Sequence, residues 1–343
     1  MGRIIELMKA IQVVKPGAGL QIVDREIPVP KPDWVRIKVN ACGVCHSDVM
    51  AVEGQWPGLK YPLVPGHEIA GVIDELGGNV TTWKKGQRVG VGWYGGHCGV
   101  CIACRRGDLI NCHNSKITGF THDGGYAEYM VAPAQSLAAI PDGLADEDAG
   151  PLMCAGVTTF NALRHAGALP GDLVGVEAIG GLGHLGVQFA NKAGYRTVAI
   201  SRGDDAKELA LKLGAHEYIN TDAVSPAEEL KRMGGAQAIL ATAPSGKAMS
   251  ALIDGLADNG TLMVIGASTD KIEESPIQLI GGTKAIRGWA AGVAADSEDT
   301  LRFSAMTGVR PMIEKFPLEK AVEAYARMMS GQARFRVVLT MNS

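Results

Sequence analysis

The sequence predicts an α/β protein in which a mainly β domain is interrupted by a doubly wound parallel sheet. Three observations carry this. Residues 8–40 alternate apolar and polar positions among many prolines and glycines, the pattern of short strands joined by turns. From Leu173 the rhythm becomes strand, glycine turn, helix, several times over, and repeated βαβ units build a parallel sheet. Beyond about Val293 the chain returns to the first domain, with an amphipathic helix over 318–330 and a closing strand from Arg336.

Size and charge narrow the function. A chain of 343 residues suggests two domains, and 46% hydrophobic content fills two cores. The net charge of −3 gives no footprint for nucleic acid or an anionic membrane surface. No apolar run reaches the roughly 18 residues of a membrane span, and the N-terminus lacks a secretory core; residues 1–7 read as an extension. Seven cysteines, an odd number, suit a reducing cytoplasm and metal thiolates better than disulfides.

Strands are expected at 10–14, 20–24 and 35–39. The next segment, Cys42-Gly-Val-Cys45-His46-Ser47-Asp48, sets thiol, imidazole, hydroxyl and carboxylate side by side. Pro65-Gly66-His67-Glu68 follows. Cys45 and His67, with the later Cys154, offer a Cys₂His set that leaves one zinc position open, the composition of a catalytic site. Cys42 stands outside that set and reads as a buried structural thiol.

Cys98, Cys101, Cys104 and Cys112 fall within fifteen residues. Two CxxC steps and a fourth cysteine let four thiolates converge on one tetrahedral ion, a closed structural zinc site. Gly124-Gly125 then predicts a turn before a strand, and Pro151 opens a helix carrying Cys154.

Leu173 to Ala178 reads as an apolar strand, and Ala178-Ile-Gly180-Gly181-Leu182-Gly183 as the turn into a helix. Backbone N–H groups at such a turn face a dinucleotide pyrophosphate. Ala178 occupies the first glycine position, where a methyl group could crowd the turn. Further helices are expected near 205–213, 226–233 and 246–257, and strands near 196–200, 216–219, 237–241 and 260–265. The second strand ends in Ser201-Arg202 where an acid would read a ribose hydroxyl. A hydroxyl followed by a guanidinium suits a 2′-phosphate, so NADP(H) is favoured, with NAD(H) possible.

These motifs together resemble the zinc-dependent alcohol dehydrogenases of the medium-chain dehydrogenase/reductase superfamily. GHExxGxxxxxGxxV is matched at 66–80, GVCHSD at 43–48 and the four-cysteine lobe at 98–112. The resemblance runs from about Met8 to the C-terminus. It implies a GroES-like catalytic domain over 1–153 and 293–343, with a structural-zinc lobe near 95–115. A Rossmann dinucleotide-binding domain would occupy 154–292, with the active site in the cleft.

It also implies one catalytic and one structural zinc per chain and reversible hydride transfer between a small primary or aromatic alcohol and the nicotinamide. Ser47 would relay the proton, Asp48 would orient His67, and Glu68 would lie beside the metal. His46 and Arg336 would meet the cofactor's pyrophosphate. Many relatives end the relay in a histidine five residues after the first zinc cysteine; here that residue is Met50. Trp56 and Trp93 would line the substrate pocket, with Met153 beside it. Homo-oligomers, commonly tetramers, are expected. Two other readings are a polyol or sugar dehydrogenase of the same superfamily and a catalytically silent cofactor-binding redox sensor.

Overall fold

A computed structural model describes residues 6–341. The chain divides into two compact units. One comprises the residues up to Cys154 and those from Gly292 onward; the other is Ala155–Ala291. Cys154 thus falls with the first unit rather than opening the second, and its Sγ lies 3.9 Å from that of Cys45.

The first unit is built on an antiparallel sheet around one long strand, Trp34–Val44. The sequence reading stopped this strand at 39; it continues through an irregularity between Val39 and Ala41, and Cys42 and Val44 are again buried in the apolar core. Along one edge it pairs first with Tyr129–Pro133 and then with Arg336–Thr340; along the other it pairs with Ile69–Leu76. Ile37, Val39, Ile69, Val89 and Leu339 meet in its core. The strand therefore delivers Cys45 from its end, and the adjacent Ile69–Leu76 holds His67 and Glu68 at its start. Leu7–Gln12 and Gln21–Glu26 form a separate antiparallel pair, each displaced by one to three residues from its expected span.

Cys154 lies in a π-helical turn, Leu152–Gly156, that follows the helix Asp146–Pro151. Pro151 has no N–H to give to an i−4 carbonyl, and single π turns are a frequent feature of functional sites. The helix begins five residues before Pro151, not at it.

The second unit carries six parallel strands. Across the sheet they run Glu217–Asn220, Arg196–Ser201, Leu173–Glu177, Ala236–Ala241, Leu256–Val264 and Ala285–Gly288. In chain order this is three, two, one, four, five, six, the doubly wound arrangement whose crevice lies beside the first strand. Every residue of Leu173–Glu177 is buried, as a strand covered on both faces requires. The helix Gly183–Lys192 packs Leu185, Val187 and Phe189 inward. The expected helix at 246–257 is shorter, Gly246–Ser250 followed by a 3₁₀ turn, because pairing recruits the chain into a strand from Leu256. Among the described residues no helix is long and apolar enough to cross a membrane.

Candidate active site and cofactor cleft

The strand Trp34–Val44 ends at a tight turn into the short helix Asp48–Val52. That turn bends Asp48 back under Cys45. The Cys45 backbone N–H donates to Asp48 Oδ2 at 2.9 Å, and the Tyr126 hydroxyl donates to the same oxygen at 2.7 Å. Asp48 Oδ1 lies 3.0 Å from His67 Nδ1. All of Asp48 and His67 is buried. With Nδ1 protonated toward the carboxylate, Nε2 carries a free lone pair, and Nε2 is indeed buried with no hydrogen-bond partner.

That lone pair points into a cluster. Donor atoms of Cys45, His67, Glu68 and Cys154 all lie within 4.8 Å of one another. The Sγ atoms of Cys45 and Cys154 are 3.9 Å apart. A tetrahedral ion with Zn–S bonds of ~2.3 Å requires thiolates about 3.8 Å apart. A hydrogen bond from the Cys154 thiol holds Cys45 well below the usual thiol range against its burial, with His67 helping. Two sulfurs, one orphaned imidazole nitrogen and a carboxylate fit a zinc ion.

Glu68 is fully buried and receives the Arg336 Nη2, while its Oε2 has no partner. Burial pushes its carboxyl up to about 7, against the pull of Arg336. Gly43 makes room for it: a Cβ there would stand 1.9 Å from Glu68 Oε2. Arg336, expected on a cofactor phosphate, is only 8% exposed and engaged with Glu68; its Nε has no partner. His46 is exposed, and Ser47 is half-buried with a hydroxyl that makes no capping bond.

An apolar wall stands over His67. The Trp93 ring meets the His67 ring edge-on at 5.1 Å, Phe120 lies 4.8 Å from Trp93, and Trp56 lies 5.6 Å from Trp93. Met50 packs into the same cluster, so the position of the expected relay histidine is occupied by an apolar contact. Met153 is buried at 1% and is not among these residues. Phe120 escaped the sequence reading, since a phenylalanine between a glycine and a threonine in a loop carries no periodicity. Tyr126 escaped it for the same reason. Cys42 is buried as expected, its thiol donating to the Gly43 carbonyl at 3.6 Å and pushed up by burial.

The second cysteine cluster is independent of the first. Donor atoms of Cys98, Cys101, Cys104 and Cys112 converge within 4.8 Å. Cys101 Sγ is 3.5 Å from Cys104 Sγ and 3.9 Å from Cys112 Sγ, again near the tetrahedral edge. Backbone N–H groups of Cys101 and Asn114 point at the sulfurs of Cys98 and Cys112. Such bonds hold Cys98 down at about 6. Cys101 is lowered by backbone N–H groups as well, while burial raises Cys104; four convergent thiols in this geometry fit a closed zinc site.

In the second unit the glycine turn joins Leu173–Glu177 to Gly183–Lys192. Gly183 is required there, because a Cβ would stand 1.7 Å from the Ala178 carbonyl oxygen. Gly180 has open space around its Cβ position, so a ligand can approach the backbone; Gly181 and Leu182 complete the turn. Ala178 is held at φ +62, in the left-handed region that the missing glycine would favour. A cleft of about 750 Å³ lies beside this turn, and Ser201, Arg202, Asp222 and Lys247 line it. Lys247 was not anticipated; nothing distinguishes a single lysine at a helix start in sequence. The Tyr218 hydroxyl donates to the Gly203 carbonyl at 2.8 Å, next to Arg202.

Two soft-donor clusters on a β framework and a dinucleotide-type parallel sheet define a medium-chain oxidoreductase of the zinc-binding type. Residues 31–142 match the alcohol dehydrogenase GroES-like domain and residues 181–306 the zinc-binding dehydrogenase family. The alcohol dehydrogenase patD of Penicillium expansum is 45% identical over 325 residues, 95% of each chain. Among solved structures, cinnamyl alcohol dehydrogenase from Sorghum bicolor superposes with a TM-score of 0.87 at 30% identity over 98% of both chains. The CAD of Helicobacter pylori, solved with NADP(H), gives 0.86 at 25% identity, covering 98% of this chain and 99% of that one. The chain belongs to the zinc-type alcohol dehydrogenases of the medium-chain superfamily. It is an oxidoreductase with alcohol dehydrogenase activity, acting on small-molecule alcohols or aldehydes.

Proposed function

We propose a zinc-dependent, NADP-preferring alcohol dehydrogenase or aldehyde reductase for small primary or aromatic alcohols. The observation that carries it is the buried, partnerless Nε2 of His67 among the sulfurs of Cys45 and Cys154. Those three residues hold the catalytic metal, with Glu68 within reach as an alternative ligand. When bound, zinc supplies Lewis acidity toward the substrate oxygen and the nicotinamide accepts or returns the hydride. Cys98, Cys101, Cys104 and Cys112 hold a second, structural zinc.

The chain's own residues do the rest. Asp48 keeps the His67 proton on Nδ1, so Nε2 stays available. Ser47, with its hydroxyl uncommitted to the helix cap, takes the proton leaving the substrate hydroxyl. Met50 cannot carry that proton onward, so its release to water would depend on the ribose of a bound cofactor or on another base. Trp56, Trp93 and Phe120 restrict the substrate to small or flat groups and exclude water. A polyol would call for a more polar pocket than two indoles and a phenyl ring offer. The Gly180–Gly183 turn receives the pyrophosphate. Ser201 and Arg202 face the 2′-phosphate. Assembly as a homotetramer is part of this reading by family precedent.

The test is initial rates with benzyl alcohol and ethanol, each against NADP and NAD, on zinc-replete protein, alongside metal analysis. The reading expects two zincs per chain and a higher kcat/KM with NADP. A higher value with NAD would remove the role given to Ser201 and Arg202. Absence of turnover with either cofactor would remove the enzyme reading of the cluster.

A further inference from the structure

Glu177 stands where the strand Leu173–Glu177 would ordinarily end in an apolar residue. It is only 7% exposed, yet it lines the cleft of the second unit. The backbone N–H groups of Thr242 and Ala243, at the end of the neighbouring strand, donate to its Oε2 at 3.1 and 2.9 Å. Among the described residues none donates to Oε1. Oε1 is not among the buried unpartnered atoms and faces the cleft, where it is open to a further donor from a ligand. Burial raises the pKa of Glu177, against the pull of the two N–H groups.

The cleft itself indicates which donor. Ile200, Pro226 and Leu252 give it apolar walls, and Ser201 and Arg202 enter it from the end of the second strand, where the adenosine ribose of a dinucleotide is read. Of the glycine turn only its first residue, Ala178, lines the cleft, so the turn borders it at one end. Arg202 offsets an anion at its own end of the cleft, whereas one placed against Glu177 would be repelled. A flat, neutral base bearing an N–H donor would be sandwiched by the walls and held at the carboxylate.

We infer that Glu177 reads the base of the dinucleotide, its free Oε1 accepting a hydrogen bond from the exocyclic amine of adenine. This rests on the cofactor reading above and adds base selectivity to it. An oxo-purine in the same place would set a carbonyl oxygen against the carboxylate.

Calorimetric binding to the zinc-loaded full chain tests this with two probes: NADP and its hypoxanthine analogue, in which the 6-amine is replaced by a carbonyl oxygen. The adenine form is expected to bind at least about tenfold tighter, the effect of one hydrogen bond to a charged acceptor. In Glu177→Gln the two backbone N–H groups retain the amide oxygen, which turns the NH₂ into the cleft. That variant is expected to reverse the preference. Equal, tight binding of both probes to the unmodified protein overturns the inference while leaving the cofactor reading intact, even if the variant does not fold. Binding of neither removes the cofactor reading and this inference with it.

Discussion

Asp48 Oδ1 lies 3.0 Å from His67 Nδ1, while Asp48 Oδ2 takes both the Cys45 N–H and the Tyr126 hydroxyl. One carboxylate thereby fixes the tautomer of one candidate ligand and the backbone of another. In Asp48→Asn the amide NH₂ must face either two donors or His67. If it faces His67, the imidazole proton moves to Nε2, the atom needed for metal. Affinity at this site is expected to fall about 10–100-fold. Competition with a chromogenic chelator measures it: one zinc per chain should be lost early and the four-cysteine zinc retained. Unchanged retention of both would separate Asp48 from metal binding.

Arg336 and Glu68 form a buried pair joined by the Arg336 Nη2. Arg336→Met leaves a buried carboxylate alone and is expected to cost about 3–5 kcal/mol. The double variant Glu68→Met with Arg336→Met should recover most of that loss, because no unpaired charge remains. Thermal unfolding midpoints of the three proteins check the order. If the double variant is no better than Arg336→Met alone, packing rather than charge decides the site.

Ala178 carries φ +62 in the turn before Gly180. Left-handed backbone costs an L-residue ~1–2 kcal/mol, and glycine returns part of that as unfolded-state entropy. Ala178→Gly is expected to stabilise the second unit by about 1 kcal/mol. Chemical denaturation followed by a signal from that unit would show a higher midpoint; a lower one would mean that the alanine methyl contributes packing worth more than the strain.

His122 gives a pH dependence whose sign follows from its surroundings. Its Nε2 is buried without a partner, and burial, with Lys116 and Lys31 nearby, lowers its pKa to about 4. Both lysines stack over the Trp34 ring that meets His122 edge-on at 5.3 Å. The folded state holds the ring neutral, whereas the unfolded chain protonates it near 6.5. Stability is therefore fully present above about 6.5 and falls as pH drops toward 4. His122→Gln cannot titrate, so its unfolding midpoint should decline less between pH 7 and pH 4.5 than that of the unmodified protein. Parallel declines would show that acid acts elsewhere, for instance by releasing zinc.

The local chemistry of this protein is written in short sequence intervals. Cys98 to Cys112 is a zinc pattern because close spacing alone brings four thiols together, and the βαβ rhythm after Leu173 is legible because apolar period and glycine turns are local signals. The pairing of Cys45 with His67 and Cys154, more than a hundred residues from Cys45, could be suggested by composition and supported by resemblance. What the tertiary structure alone decided is which neighbours complete each site. Phe120 and Tyr126 reach Trp93 and Asp48 from loops with no periodicity. Glu177 and Lys247 meet in one cleft because parallel strands place distant strand ends and helix starts side by side. The buried pair of Arg336 with Glu68 was not legible either: antiparallel pairing of Val337–Thr340 with Ala41–Val44 brings the two together. Strand register of this kind depends on how whole faces pack, and no single segment of the chain records it.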